Sequence, residues 1–222
     1  MRRLIAPLIF GLAGAGVLVG LGVWQVQRLH WKTGILAEIG ARIADAPVGL
    51  PGTPDAVADR YLPVQAAGRI TGESIAVLAS RKQIGAGYRI IAAFETGGRR
   101  VMVDLGFLPD AAAGEPLAAQ ELRVTGNLNW PDEVDGYTPG PDTTRNIWFA
   151  RDVPAMAAAL NTEPVLIVAR ETSLKSAIVP VPVDTAAIPN DHLAYAITWF
   201  LLAFVWSGMT VLLGWRITQR SG

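Results

Sequence analysis

The 222 residues carry 19 basic and 19 acidic side chains and no cysteine. A balanced charge gives no electrostatic footprint for nucleic acid. Without thiols there are no structural disulfides, no thiolate metal sites and no covalent heme attachment through C-x-x-C-H.

The first element is an apolar run. Residues 4–27, LIAPLIFGLAGAGVLVGLGVWQVQ, hold no ionisable side chain. The run exceeds the roughly 20 apolar residues that cross a hydrocarbon core about 30 Å thick. A cleaved signal peptide is the competing reading, but its apolar region is typically about 7–15 residues. Gly22-Val23-Trp24-Gln25 is also too bulky for a cleavage site, so an uncleaved transmembrane helix over 4–27 is predicted. Gly16 and Gly20 form a G-x-x-x-G, preceded by Gly11-x-x-Gly14. Small residues at this spacing let a second helix, or a flat ring, approach the backbone. His30, Trp31 and Lys32 follow the run.

Residues 31–190 read as one β-rich domain. Apolar runs at 61–70, 74–80, 88–94, 99–103, 122–128 and 164–169 are broken by turn residues such as Thr96-Gly97-Gly98. That spacing predicts antiparallel strands in a barrel or sandwich. One short helix is expected over Val153–Leu160, with Asp152 as N-cap and Asn161 ending it. Residues 49–54 and 132–141 are Pro/Gly-rich loops, in which Asp132 and Glu133 read as solvated turn residues. The domain holds no histidine, so no Ser-His-Asp set can be assembled in it. No P-loop or strand-linked G-x-G-x-x-G is present, and no enzymatic role is expected.

A second charge-free run, LAYAITWFLLAFVWSGMTVLLGW, lies between His192 and Arg216 and predicts a second transmembrane helix over 192–215. Arg2 and Arg3 precede the first span, and Arg216 and Arg220 follow the second. Arg28 and Lys32 oppose this bias, whereas 177–193 contains no Lys or Arg. The positive-inside rule then puts both termini in the cytoplasm, and the domain in the periplasm or the equivalent compartment of an organelle. The expected fold is thus an α+β membrane protein: a two-helix transmembrane hairpin, N-in and C-in, flanking one antiparallel β-rich periplasmic domain with a short helix. Trp31 and Trp215 read as interfacial belt residues at opposite membrane faces.

On the second span, His192, Tyr195, Trp199, Leu202, Trp206 and Met209 fall on one helical stripe. Histidine at the head of an aromatic stripe suits axial ligation of a heme iron. Histidine and aromatics are equally ordinary as interfacial anchors, and the residues alone leave both readings open. His30 is a second imidazole at a similar depth, either another axial ligand or a plain interfacial polar residue.

Two long motifs resemble a known family. Leu21-Gly22-Val23-Trp24-Gln25-Val26-Gln27-Arg28-Leu29-His30-Trp31-Lys32 is similar to the L-G-x-W-Q-x-x-R-x-x-W-K signature of the surfeit locus protein 1 family. Asn190-Asp191-His192-Leu193-Ala194-Tyr195-Ala196-Ile197-Thr198-Trp199-Phe200 resembles its N-x-H-L-Q-Y-A-x-T-W-F signature. Gly87-Tyr88, Gly106-Phe107-Leu108-Pro109 and Trp148-Phe149-Ala150-Arg151-Asp152 fall between them in the expected order.

The resemblance implies a multi-pass bacterial inner-membrane factor for cytochrome c oxidase assembly. It would bind or present heme a for insertion into the oxidase catalytic subunit, with heme a synthase as a further partner. The resemblance makes His192 the heme-iron ligand. Tyr195 and Trp199 would pack near the ring; Trp24, Arg28, Trp31 and Lys32 would fix the exit of the first helix, with Arg28 or Lys32 placed to meet a propionate. His30 stands at a variable position of its motif. The alternative is a heme-free scaffold that stabilises an assembly intermediate. Two departures stand out. The usual N-R-G-[WF]-[VI]-P reads Asp104-Leu105-Gly106-Phe107-Leu108-Pro109, and Ala194 replaces the usual glutamine.

Overall fold

The computed structural model describes residues 2–112, 116–186 and 188–219. Arg220 and the side chains of Arg2 and Arg3, used above for topology, lie outside the described residues. The chain divides into two compact units: Met1–Glu38 with Thr185–Gly222, and Ile39–Asp184.

The first unit is built from two helices, α1 (Arg2–Ala44) and α3 (His192–Gln219). Helix α1 continues well past the apolar run, and its last residues belong to the second unit. Both helices are long and apolar enough to cross a membrane. Only 6% and 11% of their most apolar windows are buried. A core helix of a soluble protein would be mostly buried, so both helices are candidate membrane spans.

The second unit is a small barrel. Its main strands are β2 (Pro63–Arg81), β3 (Gly85–Thr96), β4 (Arg99–Pro109), β5 (Gln120–Leu128) and β7 (Leu166–Thr172). Two-residue strands β1 (Val48–Gly49) and β6 (Ile147–Trp148) pair with β2. The two runs predicted at 61–70 and 74–80 are one strand with a register break between Ile70 and Ser74. Before the break β2 pairs mainly with β5, and after it with β3. That bend closes the sheet into a ring: β2, β3, β4, β7, β5 and back to β2. Three sequential strands and a fourth returning beside the first make a Greek key.

The expectation of a purely antiparallel sheet is corrected. Strand β7 runs parallel to β4, with Met102 opposite Leu166 and Val103 opposite Ile167. The reason lies in the crossover: the chain leaves β5, passes through helix α2 (Val153–Leu160) and re-enters between β4 and β5. The result is a mixed sheet. The β3–β4 hairpin turns through Gly97 and Gly98, both at positive φ (56° and 76°), as a two-residue type I′ turn requires.

Two apolar clusters explain the continuous apolar runs. Ile90, Ala92, Phe94, Val101, Val103, Leu105 and Ile167 fill the barrel interior. Their neighbours Ile91, Ala93, Met102, Leu166 and Val168 point outward and are covered by Trp148 and by Val153, Met156, Ala157 and Leu160 of α2. Strands buried on both faces read as runs rather than alternations. Helix α2 has the expected ends. Asp152 accepts a hydrogen bond from Ala155 N at 3.1 Å, and Asn161 adopts the left-handed conformation (φ 50°, ψ 52°), a common way to end a helix.

Candidate functional site

Within the first unit, α1 and α3 pack antiparallel through small residues. Cβ atoms built at Gly11, Gly14 and Gly22 would come within 2.1, 2.5 and 2.7 Å of Thr210, Trp206 and Phe200. Those three glycines therefore set the distance of approach. Gly16 and Gly20 have nothing within 4 Å of such an atom, so the G-x-x-x-G faces away from α3. On α3 the most buried positions are also small, Ala196 and Ala203. Apolar attraction between helices vanishes in lipid, which leaves close van der Waals contact between small residues to drive packing. Trp206 adds a directional contact: its Nε1–H donates to Gly11 O at 2.9 Å, and its ring lies 5.5 Å from Phe10.

At the other end of the pair, His192 opens α3. Its Nδ1 lies 2.8 Å from Oε1 of Gln25. An amide oxygen can only accept, so a hydrogen bond here would come from Nδ1–H and would leave the Nε2 lone pair available. Gln25 is only 8% exposed. A buried amide on an apolar helix is costly without a partner, and His192 supplies one. His192 itself is half-buried.

The other expected residues separate into two groups. Trp199 is half-buried, whereas Tyr195 is 57% exposed and Trp24 is 50% exposed. The actual contact stripe of α3 runs through His192, Ala196, Phe200, Ala203, Trp206 and Thr210, with Leu202 and Met209 turned outward. Arg28 is exposed and stacks its guanidinium over Trp31 at 4.6 Å, a cation–π contact. His30 is exposed. It lies five positions beyond Gln25, about 7.5 Å farther along the helix and well around its circumference, so it is not brought to His192. In the sequence Gln25 stands out only as part of the motif. Its signal in the sequence is an amide inside an otherwise apolar run.

The donor set has a chemical meaning. Among the described residues no group of three or more His, Asp or Glu side chains gathers to hold a metal ion. One oriented imidazole is too little for a bare ion, which needs several protein ligands. It is enough for an iron already held by a porphyrin.

The sequence model described as the SURF1 family matches residues 12–204, most of the chain. The chain belongs to that family. It is 26% identical over 205 residues to Surfeit locus protein 1 of Rattus norvegicus, covering 82% of this chain and 67% of the relative. A SURF1-like protein of Rickettsia felis is 26% identical over 199 residues, covering 84% of this chain and 87% of the relative. The human Surfeit locus protein 1 is 25% identical over 211 residues, with 83% and 69% covered. The alignments thus span about two thirds of the vertebrate relatives.

The barrel accounts for one family departure. Asp104 is completely buried and accepts from Arg89 Nε at 2.8 Å, Arg151 Nη1 at 3.2 Å and Gly106 N at 3.2 Å. A carboxylate here is matched by two guanidiniums. Leu105 is 1% exposed in the barrel interior, where a charge would need its own partner. Arg151 also pairs with Glu133, so Glu133 is not the freely solvated turn residue expected. Burial would raise the Glu133 carboxyl, but the Arg151 hydrogen bonds and charge outweigh it and hold the group below its usual range.

Proposed function

We propose that this SURF1-family protein is a membrane-bound assembly factor for cytochrome c oxidase that presents heme a for insertion into the catalytic subunit. The observation that carries the reading is the half-buried His192, held through Nδ1 by Gln25 with Nε2 left to ligate. Heme a is cargo in this scheme, and its iron would take Nε2 as an axial ligand. Trp199 would support the ring from α3. The outward-facing Tyr195 and Trp24 offer apolar surface beside it, and the exposed Arg28 offers a charge to a propionate. The two terminal helices anchor the protein in the inner membrane with both termini cytoplasmic and the barrel periplasmic. Heme a synthase would supply the cargo.

The test is the visible spectrum and extracted heme type of detergent-purified protein co-expressed with heme a synthesis. Wild type and His192→Ala are compared. Stoichiometric heme a in the first and its loss in a folded second support the reading. A colourless wild type overturns it in favour of a heme-free scaffold. In cells, deleting the gene should leave oxidase protein short of heme a, and normal heme content in the deletion strain is incompatible with the proposal.

A further inference from the structure

We infer that Gln25 is a positioning residue for the ligand: it fixes His192 as the Nδ1–H tautomer and aims Nε2. The inference rests on the heme reading above and deepens it. The 2.8 Å contact between Nδ1 and Oε1 joins residues 167 positions apart, and Gln25 is nearly buried. Several features make the contact directional. Gly22, one turn before Gln25, permits close approach at Phe200, and Ala196, one turn after His192, is 2% exposed. Small residues thus hold the two backbones together one turn along each helix from the polar pair, both on the same side of it. The imidazole cannot rotate away without breaking the hydrogen bond of a buried amide.

The identity of the partner matters as much as its presence. A histidine ligand usually donates its second N–H to a carboxylate, a carbonyl or water, and a carboxylate makes it more basic. An amide oxygen carries no formal charge and polarises the ring less. A neutral ligand holds ferric iron less tightly than one with imidazolate character. That suits a site from which cargo must leave. The glutamine therefore combines fixed geometry with moderate affinity.

The experiment uses full-length protein in detergent, labelled with imidazole-15N histidine. Only two histidines exist in the chain, so His30→Gln assigns both signals. In the heme-free protein, His192 should show the Nδ1–H tautomer, and Gln25→Leu should move it toward the Nε2–H form favoured by free imidazole. In the loaded protein, Gln25→Leu should speed heme dissociation by about 10–100-fold. Gln25→Glu should slow it below wild type and shift the heme midpoint potential negative. Gln25→Glu also guards against misfolding, because it keeps the size and an acceptor oxygen. A wild-type Nε2–H tautomer overturns the inference, as does unchanged dissociation in a folded Gln25→Leu. A wild type that shows the Nδ1–H tautomer yet takes up no heme overturns the ligand role together with the heme reading. Heme uptake with the wrong tautomer overturns the inference alone.

Discussion

Asp104 and Arg89 form an ion pair of 2.7 Å in which the carboxylate is fully buried and the guanidinium is 15% exposed. Arg89 sits on β3, opposite β4, and its Nη2 also donates to Val181 O at 3.1 Å. Arg151, just before α2, reaches the same carboxylate. One buried acid thus ties together the β3–β4 hairpin, the approach to α2 and the segment around residue 181. Buried ion pairs add little net stability over apolar packing, but removing one partner leaves an uncompensated charge. Asp104→Ala should therefore destabilise the protein by about 3–5 kcal/mol. Asp104→Asn, the residue usual in the family, should lose less because it keeps an acceptor. The check is denaturant unfolding in detergent followed by near-UV circular dichroism. A loss below about 1 kcal/mol for Asp104→Ala would show that the two arginines find other partners.

Gly106 interrupts β4 at φ +123°, and a Cβ there would lie 2.1 Å from Val179 O. Phe107 and Val179 exchange backbone hydrogen bonds of 2.8 and 2.9 Å at this point. Gly106→Ala should cost about 1–3 kcal/mol from backbone strain alone, with the lost Phe107–Val179 pairing added. Hydrogen exchange should show faster amide exchange at Phe107 and Val179. Unchanged protection at both amides would contradict this account.

Two carboxyls predict how the barrel responds to acid. The hydrogen bond from Arg99 holds the Glu163 carboxyl below its usual range. Glu133 is also held low, since its Arg151 contacts outweigh burial. In the unfolded chain both return toward the ordinary value of 4.5. A depressed folded value means the unfolded chain binds protons more readily, so stability rises with pH across this window. The stabilisation is present above pH 4.5 and is lost as pH falls through the lower folded values. The thermal midpoint should be flat near neutrality and fall below about pH 5. Glu163→Gln should make that fall shallower. Identical acid slopes in the two proteins would remove Glu163 from the explanation.

Much of this architecture was legible in the chain because burial was written as runs. Residues 90–94, 101–103 and 166–169 are continuous apolar stretches since both faces of those strands are covered. The caps Asp152 and Asn161 bound α2 where local chemistry predicts. Barrel closure was not legible, because it depends on one strand changing partners at Ile70 and Ser74. Nor was the parallel pairing of β4 with β7, which the crossover sets. On α3 the aromatic stripe only partly coincides with the packed face: His192 and Trp206 touch α1, whereas Tyr195, Leu202 and Met209 are exposed. The most buried positions of α3 are instead the small Ala196 and Ala203, as expected of helices packed in a bilayer. His192 was singled out by its position; Gln25 needed the fold, since nothing local links residues so far apart.

The glycine seam gives a matched pair of substitutions. Gly14→Leu places side-chain atoms where Trp206 Nε1 lies 2.5 Å from the Cβ position. Separating the helices there would also strain the Trp206 bond to Gly11 O. Gly16→Leu adds the same bulk two residues later, where nothing lies within 4 Å. Unfolding of helical signal by SDS titration should show a loss of about 1–3 kcal/mol for Gly14→Leu, the usual range for overpacking. Gly16→Leu should stay within about 0.5 kcal/mol. Equal effects would mean the seam lies elsewhere on α1.

The proposed orientation can be read with single cysteines, because the native chain has none to compete. Tyr137 is 94% exposed, on a loop whose turn is fixed by Asp135. The Asp135 carboxylate accepts from Tyr137 N at 2.9 Å and from the Thr138 hydroxyl at 2.9 Å. A cysteine at 137 therefore projects into solvent without disturbing a packed side chain. Gln219, the last residue of α3, is exposed beyond the apolar run. If the barrel is periplasmic, a membrane-impermeant maleimide should label Tyr137→Cys in intact spheroplasts. It should label Gln219→Cys only after lysis. The reverse pattern would place the barrel in the cytoplasm and the His192 end of the helix pair at the wrong membrane face for delivery from the periplasmic side. Labelling of both sites in intact spheroplasts would mean that α3 does not cross the bilayer, because a helix lying flat on the outer face leaves both sites on that side.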